Sequence, residues 1–334
     1  MSENSIIQNA LKIERQRPNA YTAKIGQDQR FGEFLHGGFA ASLLVYTALE
    51  HAKTTLGKTK EQQVISCQAQ YLKPVNKSEL QLQVEHLRVG KANASLRVVL
   101  SQKGSPSVTG DVNLVDATAN RGVTADVAFS LNPPHQPADL TKLESNTDPN
   151  WVLYHLPYSE KSQGQPLSHW NLFFTRSGPV NPRLHDMWCT LNNPNARITN
   201  AILPTLADSY LRQADNFTPN SDFSYSAVVA RAERSVAGDI RQDDLDKTVT
   251  RFWTATQSLS LEIVKQLPKE GVKWMLMRAE AKAIQDGRLI VEVTLMNEKM
   301  ELVGYGKGVD ILIPAQRWVE ESRREGGGAR MMKI

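Results

Sequence analysis

Cysteine is scarce in this chain. Cys67 and Cys189 are the only two, far apart and in no CxxC pairing, so neither a disulfide scaffold nor a zinc site can be read. Long apolar runs are also missing: no stretch of about 18 apolar residues occurs, and a membrane-spanning helix is not expected. Charge of one sign is not in excess. The formal net charge is +4, with Lys and Arg scattered rather than gathered in a stripe, which argues against a nucleic-acid-binding face. The opening MSENSIIQNA has no basic region followed by an apolar run, so no signal peptide is expected, and a reducing, cytoplasmic setting is the default. Nothing in the pattern asks for a metal or another cofactor. What remains is 40% hydrophobic and 22% charged, an ordinary globular composition. A length of 334 residues suggests about two domains.

The most informative stretch is FGEFLHGGFAASLLVYTALEHAKTTLG, from Phe31 to Gly57. A short loop ends in His36-Gly37-Gly38, and a long apolar helix follows at once. Two glycines at a helix start let another group approach the backbone closely, because no Cβ keeps it away. The first N–H groups of the helix have no partner inside it and can receive a carbonyl oxygen or an anion. From Phe39 to Leu49 the helix is apolar nearly all round, which predicts deep burial.

Strands follow. Val64–Val75, Glu79–Gly90, Ala94–Gly104 and Ser107–Ala117 alternate with period two or carry β-branched runs bounded by Gly, Pro or Asn, as in an antiparallel meander. The second half repeats the plan. It has a strand at His185–Asn192, a helix over NARITNAILPTLADSYLRQA, and strands at Ala255–Leu267, Val272–Ile284, Gly287–Asn297 and Leu302–Ile313. Boundaries are expected at 1–130 and 183–316 for the two units, with a linker rich in Pro, Ser, Asn and His over 131–182. A charged insertion covers about 216–247, and a flexible tail 317–334. The expected class is α+β, with each antiparallel sheet wrapped around a long central helix.

At this point the chain resembles the double-hotdog acyl-CoA thioesterases, the TesB-like and fungal thioesterase-like group. The motifs that carry the resemblance are HGGFAASLL at 36–44, QYLKPV at 70–75 and MWCTLNNP…LADSYL between 187 and 211. It spans roughly residues 20 to 315. The resemblance implies two hotdog halves packed as a pseudo-dimer, and a water held against a thioester carbonyl by an Asp, a Ser or Thr, and a Gln. Asp208, in LADSYL, matches the Asp. A carboxylate on an otherwise apolar helix tends toward a raised pKa, which suits a base near neutral pH. Thr256 matches the hydroxyl, with Ser258 the alternative if the register slips by two. At the Gln position the alignment places Lys307, which offers donors only and could polarise a carbonyl or bind a carboxylate or phosphate. His36, Gly37, Gly38 and Tyr71 are expected at the substrate, His36 as a donor to the thioester oxygen and Tyr71 lining the pocket. Trp188, Trp274 and Tyr305 are read as core or pocket lining.

Three functions fit these residues. The first is hydrolysis of an acyl-CoA or acyl-carrier thioester. The second, motivated by the missing Gln, is isomerisation, cyclisation or dehydration of a polyketide-like metabolite, with Lys307, Asp208 and His36 as acid–base groups. The third is acyl-ligand binding without turnover. In each the partner is a small molecule, not a nucleic acid or a membrane. Free sheet edges commonly pair, so a homo-oligomer is in keeping with the reading.

Overall fold

A computed structural model describes residues 11–58, 60–76, 79–119, 122–125, 127–154, 165–238 and 251–314. The chain opens with strands β1 (Ile13–Arg17) and β2 (Ala20–Lys24), then a short pair, β3 (Arg30–Phe31) and β4 (Phe34–Leu35). Helix α1 (Gly37–Thr54) follows, then β5 (Gln62–Tyr71), β6 (Glu79–Val89), β7 (Asn93–Gln102) and β8 (Ser105–Asp116). After α2 (Leu140–Glu144) come β9 (Trp151–Tyr154), β10 (Trp170–Thr175) and β11 (Leu184–Leu191). Two short helices, α3 (Leu203–Ala207) and α4 (Tyr225–Val236), precede β12 (Phe252–Ile263), β13 (Met275–Gln285), β14 (Arg288–Met296) and β15 (Leu302–Pro314).

Where alternation predicts a strand, a strand forms, because one face of each is committed to the core. In β7 the residues Ala94, Leu96, Val98 and Leu100 point inward and are 2% exposed or less. Helix α1 lies against β5, β6, β7 and β8. Leu43, Leu44, Val45 and Ala48 are all fully buried, the fate expected of a helix with no polar face.

Two expectations need correction. Among the described residues the two expected sheets are a single one: thirteen strands run in the order β1-β2-β6-β7-β8-β5-β12-β15-β14-β13-β11-β10-β9, with the short β3-β4 pair apart. The halves fuse where β5 and β12 pair, Gln70 against Ser258 and Ser66 against Glu262, which satisfies two edges that would otherwise be open. Nor, among the described residues, does the second half hold a long central helix. Pro204 sits in the first turn of α3, and the helix ends at Ala207. The Ser209 hydroxyl donates back to the Thr205 carbonyl at 2.7 Å, a local bond that competes with helix continuation. The resulting α3 packs on α1 instead of forming a second central rod.

The stretch read as a linker also contributes structure. β9 and β10 extend the sheet beyond β11, so β11 is buried at every position. Leu143, Trp151, Phe173, Trp188, Trp274, Leu276 and Met296 form a second apolar cluster there. Tyr305, by contrast, is 40% exposed and lines no core. The insertion at 216–247 supplies α4, and its residues 239–247 lie outside the described set, as does the tail at 317–334.

One polar pair is sunk in this half. Asp186 on β11 faces Arg278 on β13 in strand register and accepts two hydrogen bonds from its guanidinium, both at 2.7 Å. Each residue is 5% exposed. Breaking such a pair by removing one partner leaves an uncompensated charge in the interior. Asp186→Ala should therefore cost about 3–5 kcal/mol, read as a lowered urea midpoint with an unchanged m-value. A loss under 1 kcal/mol would mean that the guanidinium finds water.

Candidate functional site

The start of α1 and the end of α3 meet at a distance that only glycine permits. A Cβ on Gly38 would lie 2.5 Å from the Pro204 carbonyl oxygen and 2.6 Å from Asp208 Cβ. One on Gly37 would lie 2.7 Å from Thr256 Oγ1 and 2.8 Å from Asp208 Oδ2. The close approach is put to use at once. The Gly38 N–H donates to Asp208 Oδ2 at 2.6 Å, so the unpaired amide of the helix start receives an anion, and that anion belongs to the other half of the chain. Below it, Ser42 and Thr205 share a hydrogen bond at 2.7 Å between their hydroxyls.

Around this contact lies a cavity of roughly 400 Å³. His36, Gly37, Tyr71, Asp208, Thr256 and Asp310 all line it. Much of its remaining wall is apolar, with Phe34, Leu35, Val75, Val108 and Trp253 among the lining residues. The Asp208 side chain is 5% exposed. Thr256 Oγ1 stands 3.5 Å from both of its carboxylate oxygens. Burial pushes the Asp208 carboxyl up to about 7, against the opposing pull of the Gly38 N–H and the Thr256 hydroxyl. Burial holds the His36 imidazole down, to about 4, so it is neutral at pH 7. Its Nε2 lies 3.2 Å from the Asp208 carbonyl oxygen. That oxygen can only accept, so Nε2 carries the proton. His36 Nδ1 is then a bare acceptor, buried and without a partner. This corrects the expectation that His36 donates to a thioester oxygen: its one N–H is engaged by Asp208. The Tyr71 hydroxyl donates to the Gly37 carbonyl at 2.7 Å.

The structure does not bring every expected residue here. Lys307 is exposed and outside the cavity lining. On β15 it faces away with Tyr305, while Gly306, Gly308 and Asp310 face inward, as period two requires. Ser258 also lies outside the lining. A bulge in β12 falls between Thr256 and Ser258, putting Thr256 opposite Asp310 and Ser258 opposite Val309. Gln257, beside the bulge, reaches the cavity wall.

Asp310 and Tyr210 were not singled out from the sequence. The signal was present: an acid in phase with inward-facing positions of GYGKGVDILI should be buried. Asp310 is 2% exposed, and its Oδ2 accepts the Tyr210 hydroxyl at 2.7 Å. Burial and then the charge of Asp208 push its carboxyl up to about 7, while Tyr210 and Arg212 pull the other way. Gly308 makes room for the phenol, since a Cβ there would sit 3.0 Å from the Tyr210 oxygen.

Comparison with known proteins places this geometry. Residues 27–122 match the profile of the acyl-CoA thioesterase N-terminal domain, and residues 137–307 that of the acyl-CoA thioesterase C-terminal domain. The chain belongs to the double-hotdog acyl-CoA thioesterase family. It is 21% identical over 333 residues to the thioesterase-like protein TwmA of Talaromyces wortmannii, covering 94% of each chain. Its fold is similar to a conserved hot dog fold protein of unknown function from Alicyclobacillus acidocaldarius, with a TM-score of 0.66 and 11% identity over 92% of this chain and 97% of that one. It is also similar to the acyl-CoA thioesterase II TesB2 of Mycobacterium marinum, with a TM-score of 0.58 and 16% identity over 93% and 99%.

The buried carboxyls have a consequence for stability. A folded-state pKa raised from 3.8 toward 7 means that the folded protein holds a proton the unfolded chain has released. The contribution is fully present below pH 4 and is lost as pH rises through 7. Asp208→Asn, which keeps an acceptor for the Gly38 N–H, should therefore be more stable than the parent at pH 8, by on the order of 1–3 kcal/mol. The gain should shrink toward pH 5. Urea denaturation at the two pH values checks this, and a variant less stable at pH 8 would show that the carboxylate is not strained by burial.

Proposed function

We propose that the protein hydrolyses acyl thioesters, with acyl-CoA or an acyl carrier as the substrate class. The observation that carries the reading is a desolvated carboxylate, Asp208, held at the N-terminus of a buried helix and facing an apolar cavity with a hydroxyl beside it. A thioester needs a water nucleophile, a base to take its proton, and a dry place for its acyl chain. Asp208 is the base: its raised pKa gives it proton affinity near neutrality, and in its ionised form it accepts a water proton. Thr256 orients that water, since a hydroxyl can donate or accept as the water requires. The water oxygen bonds to the carbonyl carbon, and the carbon–sulfur bond breaks on collapse of the tetrahedral intermediate. The acyl chain lies along Phe34, Val75, Val108 and Trp253, where apolar burial is worth about 25 cal/mol per Å².

Wild-type protein should release free thiol from a panel of acyl-CoA esters. Asp208→Asn should lower kcat by about 100-fold or more with little change in KM, as expected when a general base is removed. Thr256→Ala should lower kcat about tenfold, an effect on water position rather than proton affinity. Tight acyl-CoA binding without thiol release by the wild type would instead favour the pure binding function.

A second reading draws on Asp310, a further acid at the same cavity as Asp208. A carboxyl pair can move protons on and off carbon or oxygen, so isomerisation, cyclisation or dehydration of a polyketide-like substrate is the alternative activity. Lys307 has no part in it. Product mass separates the readings: hydrolysis adds water, rearrangement leaves the mass unchanged, and dehydration removes water.

A further inference from the structure

Of the three aspartates that line the cavity, Asp215 is paired with Arg212, and the other two, Asp208 and Asp310, are not dressed alike. Asp208 receives a backbone N–H at 2.6 Å and has the Thr256 hydroxyl at 3.5 Å. Asp310 receives only the Tyr210 phenol, on Oδ2. Its Oδ1 is buried and has no hydrogen-bond partner. Asp310 stands directly across from Thr256 in the β12–β15 ladder and lines the same cavity as Asp208.

Two like charges in a desolvated site do not both persist, so the pair retains a proton near neutrality. Donors on Asp208 favour its anion, and the proton falls to Asp310. Since Tyr210 donates to Oδ2, that proton sits on Oδ1, the oxygen without a protein partner. The other titratable neighbours do not compete for the role. Tyr71 and Tyr210 are pushed well above the usual phenol range, chiefly by burial, and His36 is neutral with its N–H engaged. Arg212 donates to Asp215 at 3.0 Å and to the Phe252 carbonyl at 3.2 Å.

Resting on the hydrolytic reading, we infer that Asp310 is the proton donor to the departing thiolate sulfur, with Tyr210 as its positioning residue. Water gives one proton to Asp208 as its oxygen bonds to the carbonyl carbon. On collapse the carbon–sulfur bond breaks, sulfur keeps the electron pair, and the Oδ1 proton of Asp310 goes to it. The products are a carboxylic acid and a thiol. Asp208 is left protonated and Asp310 ionised, one proton in the pair as before, and exchange with solvent restores the starting arrangement. An alkyl thiol, with a pKa near that of cysteine at about 8.5, leaves less readily as its anion than a more acidic aryl thiol does, so a proton delivered to sulfur helps the alkyl case more. Proton delivery to it is worth a general-acid factor of about 10²-fold or more.

The test compares an alkyl with an aryl thioester of the same acyl chain, because an aryl thiolate leaves without a proton. Asp310→Asn keeps the side-chain shape and an acceptor for Tyr210. It should lower kcat about 100-fold on the alkyl thioester and less than tenfold on the aryl one. The wild-type pH profile of kcat/KM should be bell-shaped, and Asp310→Asn should lose the alkaline limb. Tyr210→Phe removes a donor that favours the Asp310 anion, so it should move that limb to higher pH. Carbon-13 NMR of the aspartate carboxyls gives a readout independent of turnover: two carboxyls titrating near neutrality in the wild type, of which the one that keeps its proton to higher pH is absent in Asp310→Asn. Equal losses on both thioesters, a retained alkaline limb, or no carboxyl titrating near neutrality would each overturn the assignment in an active enzyme. A wild type inactive on both thioesters overturns the hydrolytic reading itself, and the transfer to sulfur with it.

Discussion

The hydrogen bond from the Gly38 N–H to the Asp208 carboxylate is the constraint around which the cavity is arranged. It ties the start of the long helix α1 to a residue 170 positions later, and it does so where no side chain larger than hydrogen could stand. The interlock has other members. The Ser42 and Thr205 hydroxyls bond to each other at 2.7 Å, and the Thr205 N–H donates to Ser42 Oγ at 3.1 Å. Strands β5 and β12 meanwhile run the sheet across the same junction. A helix N-terminus carries about half a positive charge and unpaired amides. Filling that place with a carboxylate from the other half stabilises the junction and aims the acid at the cavity. One contact thus serves both folding and chemistry.

The same burial that shapes the acid also works against stability. A carboxylate surrounded by apolar walls is costly in its charged form. Beside one cavity, where Asp215 is paired with Arg212, this chain also keeps Asp208 and Asp310. A protein selected for stability alone would hold neither. That they persist, in different hydrogen-bonding dress, is the local conflict expected at functional sites, where fold-level consistency is given up. Elsewhere the buried charges follow the opposite rule: Asp186 and Arg278 neutralise each other completely.

Much of this was legible in the residues. Period-two alternation marked nine strands, and a helix with no polar face announced its own burial between Phe39 and Leu49. The glycine pair before it pointed to close approach, and Asp208 in an apolar setting pointed to a shifted carboxyl. What failed has identifiable causes. The second helix was drawn through Pro204 and Ser209, where local hydrogen bonding and α3–α1 packing end it after five residues. The segment at 131–182 was composed like a linker, yet Trp151, Trp170 and Phe173 bring two of its stretches into the sheet. Fusion of two sheets through β5 and β12 depends on partners about 190 residues apart, which no local pattern encodes.

The most consequential difference is one of phase. Lys307 and Asp310 are three positions apart on β15, an odd number, so they face opposite sides of the sheet. Gly306 and Gly308, in step with Asp310, are buried, while Lys307 is in the exposed set with Tyr305. A matching of residue types along the chain chose the lysine. Strand geometry turns that lysine away from the cavity and the aspartate, opposite Thr256, into it. The chemistry follows the choice. An amide at that place could hold a water by donating and accepting, without ever changing charge. A carboxyl can do the same and can also part with a proton, provided that its surroundings keep it protonated near neutral pH. Burial beside a second acid is the surrounding that does so.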